Sequence, residues 1–471
     1  MKLLLKNAKY ILTLDPQRRI LTDGSISIDE GRITDVGKSK DVLARQKGER
    51  FERVIDCTRR LVMPGLINTH AHLHENLVKG LFPDNIDTTT WTLEWAYPYF
   101  HTIEPRDEYV SALLTSLEML RSGTTSFIES GVEYMKEALE AVKKVGIRAA
   151  LSRLAMDRPP LNPPRSWPTD LIDKLYYNSV EKALADQEEA IRLCKEEGTD
   201  RTIGWVALIG KRTCTKELYV SALALSQRLG VGYHFHMASS LEEATATEKE
   251  VGCWPITFLE RIGALGENVV IAHAVALKDD EIDILHRRGV KISHCPGSAL
   301  KLAKGMTKIG KFPEMLDAGV TVGLGCDGAC SSGSMDMVRE MYLAATVHGD
   351  ARMKAAVIGA ETAVEMATIH GARAMGLDNE IGSLEVGKKA DIIAFNLQQI
   401  SLTPQHDIVS NLVFSSTGKN VDTVLIDGEE LVVDGRIVTV DIQEVIEEAL
   451  IRAPEVARRA SLTRNSRWPV S

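Results

Sequence analysis

Short apolar runs with polar residues at alternate positions occur at both ends of the chain. Near the N-terminus these runs are Lys2–Leu12, Ser25–Ile28 and Arg32–Val36. Near the other end they are Ile392–Phe395, Thr423–Ile426, Leu431–Val433 and Ile437–Val440. Alternation interrupted by Asp-Gly or Glu-Gly dipeptides is typical of β-hairpins. We therefore predict one small β-sandwich that is built from strands of both chain ends.

The central part of the chain alternates apolar runs with amphipathic stretches. The predicted strands are Leu61–Thr69, Thr124–Glu129, Arg148–Arg153, Ile203–Leu208, Gly232–His236, Val269–His273, Lys291–His294 and Thr321–Gly325. Helical periodicity separates most of them, as in Ala112–Arg121, Glu181–Glu197 and Leu218–Gln227. Strands that alternate with helices over about 310 residues predict a fold of the α/β class, a (β/α)8 barrel of the TIM type.

These patterns divide the chain into four parts. We predict that residues 1–60 form the first part of the β-sandwich, 61–377 the barrel and 378–440 the second part of the sandwich. Residues 441–471 are predicted to form a C-terminal helix, Ile442–Ala460, and a polar tail. We expect this helix to pack on the barrel surface or on a partner subunit.

Charge and cysteine content narrow the class of protein. The net charge of −9 is spread along the chain, and basic pairs such as Lys143-Lys144 are short, so no surface for nucleic acid or anionic membranes is indicated. No run approaches the ~18 apolar residues that a membrane span requires. The seven cysteines include no Cys-x-x-Cys pair, which favours a reducing compartment. We expect a cytoplasmic protein.

Residues that can bind a metal ion follow several of the predicted strands. They are His70 and His72 after the first strand, His236 at the fifth, His273 at the sixth, His294 at the seventh and Asp327 after the eighth. His70 and His72 are two apart on an extended chain, so both side chains point to one face. Catalytic groups of such barrels lie at the C-terminal ends of the strands. The pattern predicts one metal site there.

The sequences around these residues resemble those of a known superfamily. The motifs are Pro64-Gly65-Leu66-Ile67-Asn68-Thr69-His70-Ala71-His72, Ala272-His273, Ser293-His294-Cys295-Pro296 and Gly325-Cys326-Asp327-Gly328. They look like the amidohydrolase superfamily, and most like its subgroup of adenosine-derivative deaminases, guanine deaminase and s-triazine hydrolases. The resemblance extends over nearly the whole chain.

The resemblance implies a mononuclear metal site and a hydrolytic reaction. His70, His72, His236 and Asp327 would bind one divalent ion, expected to be zinc, although cobalt, manganese or iron also suits such ligands. The ion would lower the pKa of a water molecule, Asp327 would accept its proton, and His273 would stabilise the developing charge. The substrate would be a small molecule containing a C–N bond, and the protein would form a homo-oligomer.

Three positions depart from the pattern of the deaminases in this superfamily. Ser239 stands where those deaminases carry a glutamate that shuttles protons, and a serine cannot replace a carboxylate as a base near neutral pH. Ala299 stands in place of an asparagine. Ile209 is the nearest counterpart of a histidine that binds substrate. All three replacements remove groups that contact a polar ring.

Two substrate classes remain open at this point. The departures favour a non-purine substrate, of the s-triazine, urea, carbamate or amide type, over deamination of a purine or another N-heterocycle. In the ring-based alternative, His273, Ser239 and one of the acids Glu242 and Glu243 would handle protons, although those two acids also suit the start of a capped helix. A barrel that binds metal without catalysis is the third reading, and the retained ligands argue against it.

Several further residues are predicted to contact the substrate. Trp91 and His101 belong to an aromatic segment, residues 90–101, that could cover the site. Arg153 ends the third predicted strand, and Ile209 follows the fourth. His294 and Ser298 belong to the motif of the seventh strand. We expect all six to line the pocket, together with the catalytic residues His273, Asp327 and Ser239.

Overall fold

Strands from the two chain ends lie side by side in one mixed sheet. In the computed structural model, which describes residues 1–464 and Trp468, the N-terminal strands are Leu3–Leu12 (β1), Ile20–Asp29 (β2), Arg32–Lys38 (β3), Arg53–Asp56 (β4) and Arg60–Pro64 (β5). The barrel strands β6–β15 intervene. The last strands are Ile392–Asn396 (β16), Val421–Ile426 (β17), Glu429–Val433 (β18) and Arg436–Ile437 (β19). β5 pairs antiparallel with β16 and thereby joins the two ends.

This sheet has the order β19-β18-β17-β16-β5-β1-β2-β3, and β4 pairs with β1. It packs around an apolar cluster of its own, to which Leu3, Ile26 and Val62 contribute from one end and Ile392 and Leu425 from the other. The composite sandwich is therefore confirmed. Burial of one shared core by strands so distant in sequence requires both ends to fold together.

Parallel strands form the central barrel. They are Leu66–His72 (β6), Thr124–Glu129 (β7), Arg148–Leu151 (β8), Thr202–Gly204 (β9), Val206–Gly210 (β10), Tyr233–Met237 (β11), Val269–His273 (β12), Lys291–His294 (β13), Val322–Leu324 (β14) and Asp327–Gly328 (β15). They pair in two groups, β10-β11-β12-β13-β14 and β15-β6-β7-β8-β9. The fourth barrel strand is split into β9 and β10, and the eighth is split into β14 and β15. At each split, one half belongs to one group and the other half to the other group. The (β/α)8 barrel is confirmed.

Two predicted strands are each two strands in the structure. The strand predicted over Leu61–Thr69 is interrupted at Gly65, where β5 leaves for the mixed sheet and β6 begins the barrel. A Cβ atom at Gly65 would lie 2.0 Å from Thr125 Oγ1, so only glycine fits at this close approach. The strand predicted over Ile203–Leu208 is divided at Trp205, because β9 pairs with β8 whereas β10 pairs with β11.

Helices cover the outside of the barrel. The α-helices are Ser39–Arg45 (α1), Thr88–Thr90 (α2), Tyr97–Thr102 (α3), Pro105–Arg121 (α4), Met135–Val145 (α5), Leu171–Leu175 (α6), Val180–Glu197 (α7), Lys216–Leu229 (α8), Leu241–Val251 (α9), Pro255–Ile262 (α10), Asp279–Arg287 (α11), Pro296–Lys301 (α12), Met306–Ile309 (α13), Phe312–Asp317 (α14), Ala329–Ser332 (α15), Met337–Arg352 (α16), Ala360–Met366 (α17), Ile369–Met375 (α18), Ile408–Ser415 (α19) and Ile442–Arg459 (α20). Leu73–Val78, Ile400–Leu402 and Gly418–Asn420 are 3₁₀-helical, and Trp91–Ala96 is a π-helical turn. None of the helices within the described residues is long and apolar enough to cross a membrane.

The predicted C-terminal helix is α20, and it packs against α4. Arg452 Nη1 lies 3.0 Å from Asp107 Oδ1, and Arg106 binds Glu448. Residues 465–467 and 469–471 of the predicted tail lie outside the described residues. The division of the chain at residues 60, 377 and 440 stays a prediction.

One buried arginine connects the barrel to the mixed sheet. Arg148, the first residue of β8, is 2% exposed and donates to both carboxylate oxygens of Asp391, at 2.9 and 3.0 Å. It also donates to Asp427 Oδ1 at 2.8 Å. Loss of the arginine would leave Asp391, which is 3% exposed, without this cation, whereas Asp427 keeps Arg201 and Lys389. Such losses are among the most costly single changes in a protein.

We expect Arg148→Met to lower the free energy of unfolding by about 3–5 kcal/mol. The matched control is Arg45→Met, which removes an exposed ion pair with Asp35 and should cost less than about 1 kcal/mol. Urea-induced unfolding followed by circular dichroism measures both. Equal losses in the two variants would show that the buried contact does not hold the two sheets together.

Candidate metal centre

Four histidines and one aspartate converge at the C-terminal end of the barrel. His70 and His72 end β6, and one ring nitrogen of each lies within 4.8 Å of one of His236, which is on β11. Asp327 Oδ1 is 3.5 Å from His70 Nε2 and 3.4 Å from His72 Nε2. Asp327 Oδ2 is 3.7 Å from His273 Nε2. The sequence motifs thus meet at one point, and Asp327 lies between the histidines.

Two glycines allow the last strand to approach the first this closely. A Cβ atom at Gly328 would lie 1.5 Å from Glu75 Oε2, and one at Gly325 would lie 2.6 Å from Ser293 Oγ. Between them Asp327 has a φ of 63°, and His273 on the neighbouring side of the site has a φ of 75°. Left-handed conformations of residues with a Cβ are unfavourable and are typical of functional sites.

A chain of hydrogen bonds fixes the proton positions on His70. His234 Nδ1 lies 2.8 Å from the carbonyl oxygen of Val270, which can only accept, so this nitrogen carries the proton. His234 Nε2 is therefore an acceptor, and His70 Nδ1, 2.8 Å away, must be its donor. The remaining lone pair of His70 is on Nε2, which has no hydrogen-bond partner among the described residues. It points at the cluster.

His236 presents its lone pair in the same way. Its Nδ1 lies 2.6 Å from the carbonyl oxygen of Ile209, so Nε2 carries no proton. That atom is 3.2 Å from His72 Nε2. Burial lowers the pKa of His236 to about 3 and that of His72 well below its ordinary value, so the rings are neutral near pH 7. Neutral imidazole nitrogens and a carboxylate that face one another fit a divalent ion, which would bind their lone pairs.

Lys304 supplies positive charge at the edge of this cluster. Its Nζ is 3.5 Å from Asp327 Oδ2 and 3.2 Å from His273 Nε2. Burial raises the pKa of Asp327, but the charge of Lys304 and the contacts with His70 and His273 together outweigh burial and hold this pKa well below its ordinary value. Burial, together with the ammonium of Lys304, lowers the pKa of His273 well below its ordinary value. Asp327 is therefore a carboxylate, and His273 is a neutral ring.

A cavity of about 220 Å³ opens above the cluster. Its apolar lining is formed by Trp91, Leu93, Tyr97, Phe100, Tyr176 and Leu302. Its polar lining includes His72, His273, Asp327 and Lys304 of the cluster. A small molecule in this cavity would place an apolar group against the aromatic wall and a polar group at the metal cluster.

Five of the predicted catalytic and substrate residues line this cavity. They are Trp91, Ile209, Ser239, His273 and Asp327. The cavity also contains two carboxyl groups, those of Glu75 and Glu243. Burial raises the pKa of Glu75 to about 8. Glu243 lines the cavity and accepts hydrogen bonds from the backbone N–H groups of Ala238 and Ser239, at 2.8 and 3.3 Å, in the loop before α9.

The structure places four predicted substrate contacts outside the lining of this cavity. His101 Nε2 lies 3.0 Å from Asp170 Oδ1, and Arg153 binds Glu133 at 2.8 Å. His294 is fully buried against His348 and Phe312, and its ring centroid is 3.7 Å from that of Phe312. Ser298 is fully buried in α12. Each of these residues is at the predicted strand end or loop, but its side chain turns away from the cavity toward a local partner.

His234, Lys304 and Glu243 complete the site, and the first two were not identified from the sequence. His234 lies two residues before His236 on β11, so the strand alternation that singles out His70 and His72 could also have identified it. Lys304 follows α12 in an irregular turn, and no periodicity predicts its direction.

The chain is similar in sequence and in structure to several known enzymes. The model of the amidohydrolase family matches residues 61–431. A 5'-deoxyadenosine deaminase of Methanosarcina acetivorans is 34% identical over 98% of this chain and 99% of that protein. The crystal structure of an adenosine deaminase from Xanthomonas campestris with bound zinc has a TM-score of 0.87 at 25% identity, over 97% of this chain and 98% of that one. That of an atrazine chlorohydrolase from Arthrobacter aurescens complexed with zinc has a TM-score of 0.83 at 25% identity, over 96% and 100%.

We expect His234→Leu to weaken Zn²⁺ binding by about 10–100-fold, the usual effect of losing a residue that orients a metal ligand. Leucine fills the space but cannot accept the hydrogen bond from His70 Nδ1, so the ring of His70 is no longer oriented. Competition with a zinc-binding dye measures the affinity.

The control for this variant is His370→Leu. His370 is another largely buried histidine, hydrogen-bonded to the carbonyl oxygen of Val322 at 3.2 Å and outside the cavity lining. It should leave zinc affinity unchanged. An unchanged affinity in the His234 variant would mean that the hydrogen-bond chain does not orient His70.

Proposed function

The chain belongs to the amidohydrolase family, and we propose that it is a metal-dependent aminohydrolase that deaminates an amino-substituted N-heterocycle of the adenosine type. It cleaves C–N bonds other than peptide bonds, as expected for this family. The observation that carries the choice of substrate is the similarity to 5'-deoxyadenosine deaminase along almost the entire length of both chains. This similarity favours the ring-based alternative over the non-purine substrate that the sequence departures favour.

The residues that would hold the ion are His70, His72, His236 and Asp327. Ring nitrogens of the three histidines lie within 4.8 Å of one another, Asp327 Oδ1 lies 3.4–3.5 Å from two of them, and a divalent ion such as zinc would complete the site. When bound, it lowers the pKa of a water molecule toward neutrality and so makes hydroxide available. The zinc in the structure of the adenosine deaminase relative supports this choice of ion.

The chain's own groups would manage charge and protons around the attacked carbon. Asp327 Oδ2 faces His273 and Lys304 and is placed to accept the proton that the attacking water releases. Neutral His273 can donate a hydrogen bond to the nucleophile or to the developing negative charge. A proton must also reach the amino group, which leaves as ammonia. Glu243 is a carboxyl group of the cavity wall with oxygen lone pairs left over after it accepts from Ala238 N and Ser239 N.

A second candidate class is the s-triazine, urea, carbamate or amide substrate. Ser239 lines the cavity at the position where deaminases of the superfamily carry their glutamate, and the neighbouring wall residue Ile209 is apolar. These two features favour a substrate that has no ring nitrogen to protonate. Assembly as a homo-oligomer and a cytoplasmic location stay predictions.

An activity assay distinguishes these two substrate classes. The purified, zinc-loaded protein is incubated with 5'-deoxyadenosine, an aminotriazine, atrazine, a phenylurea and a thiocarbamate, and release of ammonia, chloride or aniline is measured. We expect ammonia release from 5'-deoxyadenosine at the highest kcat/KM. Removal of the ion with a chelator should abolish turnover, and added Zn²⁺ should restore it. Faster release of aniline or chloride than of ammonia would establish the second class instead. Activity that survives complete removal of metal would contradict both.

We expect Glu243→Gln to lower kcat for 5'-deoxyadenosine by about 100-fold or more, within the range of general acid–base catalysis. Glutamine keeps the shape of the side chain and one oxygen that can accept from Ala238 N, although its NH2 group replaces the oxygen that accepts from Ser239 N. The matched control is Glu242→Gln, because Glu242 lies at the surface, where it pairs with Arg212 at 3.1 Å. It should retain the wild-type kcat. Equal kcat values for both variants would assign the proton transfer to another group.

A further inference from the structure

Lys304 is a buried lysine that projects into the cavity beside the metal cluster. Its side chain is 4% exposed. Lys304 N donates to the carbonyl oxygen of Ala299 at 3.0 Å, and left-handed turns at Ala303 and Gly305, with φ of 49° and 82°, turn the chain back toward the site. A non-glycine residue in that conformation is unfavourable. The turn after α12 therefore holds the ammonium group at one place on the cavity wall.

The two other basic residues of the cavity wall have carboxylate partners of their own. Lys211 Nζ lies 3.1 Å from Glu250 Oε1, and Arg212 Nη2 lies 3.1 Å from Glu242 Oε1. Among the described residues, the carboxylate partner of Lys304 is Asp327, at 3.5 Å, which is longer than the 2.7–2.9 Å of a charge-assisted hydrogen bond. A bound divalent ion would share the charge of that same carboxylate. Lys304 then keeps positive charge and N–H donors that face the cavity.

We propose that Lys304 forms an anion subsite, which binds the substrate atom that becomes negative when hydroxide adds. As the new C–O bond forms, the π pair of the attacked C=N or C=O bond moves onto nitrogen or oxygen. That atom accepts a hydrogen bond from Lys304 Nζ, which keeps its proton. When the C–N bond to the leaving group breaks, the pair on the acceptor atom re-forms the double bond. The departing nitrogen takes the electron pair of the broken bond and a proton that the attacking water had released.

This subsite deepens the proposed function and rests on it. It defines the substrate as a molecule with an acceptor nitrogen or oxygen next to the scissile carbon and an apolar group on the other side. The acceptor would lie at Lys304, and the apolar group would lie against Trp91, Phe100 and Leu302. A fixed positive charge in a buried cavity stabilises developing negative charge far more strongly than the same charge does in water.

A purely structural ion pair with Asp327 would explain the position of Lys304 less well. Burial of an ammonium group is costly, and an ion pair offsets that cost only when its geometry is close and the other donors are satisfied. The nearest alternative partners are the two ring nitrogens of His273, at 3.2 and 3.4 Å. A neutral ring offers one lone pair, so part of the donor capacity of Lys304 is left for a ligand.

Benzoate tests the subsite without turnover, because its ring suits the apolar wall and its carboxylate suits Lys304. Titration calorimetry on the zinc-loaded protein compares the wild type with Lys304→Met, Lys304→Arg and the control Lys308→Met, an exposed lysine four residues further along the chain. We expect Lys304→Met to weaken benzoate binding about tenfold or more. Lys304→Arg should retain part of the affinity, and Lys308→Met all of it.

A second experiment measures the steady-state kinetics of the same variants with 5'-deoxyadenosine. Lys304→Met should lower kcat about 100-fold or more, the effect of losing one donor to a developing charge, with little change in KM or zinc content. Equal benzoate affinity in wild type and Lys304→Met, or no benzoate binding by the wild type, would overturn the subsite. Loss of zinc in Lys304→Met with unchanged benzoate affinity after zinc is restored would assign a structural role. Absence of any hydrolysis by the wild type would instead contradict the proposed function.

Discussion

Pairing of the last barrel strand with the first both closes the barrel and builds the metal cluster. β15 contains only Asp327 and Gly328, and these residues pair in parallel with Ala71 and His72. The same pairing brings the Asp327 carboxylate within 3.5 Å of both histidines of β6. Barrel closure and metal binding therefore depend on one contact. A bound ion would in turn reinforce the closure, because ligands of the folded state stabilise it.

The protonation states of the histidines follow from the surrounding backbone and not from solvent. The carbonyl oxygens of Val270 and Ile209 accept hydrogen bonds from Nδ1 of His234 and His236. His234 Nε2 in turn accepts a hydrogen bond from His70 Nδ1, which fixes the tautomer of His70. Burial keeps His72, His234 and His236 neutral. The lone pairs are consequently oriented before any ion arrives, which reduces the reorganisation that metal binding requires.

Strand periodicity predicted the parts of the site that are fixed by the barrel. His70, His72, His236, His273 and Asp327 lie at strand ends, and the fold brings strand ends together wherever they are in the sequence. The substrate contacts at His101, Arg153, His294 and Ser298 were predicted from their positions alone. Their side chains find nearer partners, such as Glu133 for Arg153 and Phe312 for His294. The direction of a side chain in a loop depends on which nearby partner it contacts, and the periodicity of the sequence does not predict that partner.

Substrate choice in this site is decided away from the metal cluster. Activated hydroxide can attack an aminopurine, a triazine or a urea, so the cluster does not discriminate among them. The apolar wall would select by polarity instead, because a hydroxyl group placed against Phe100 or Leu302 would lose its hydrogen bonds to water without replacement. Within the class of amino heterocycles, this wall favours those whose substituent lacks hydroxyl groups at the end that contacts it.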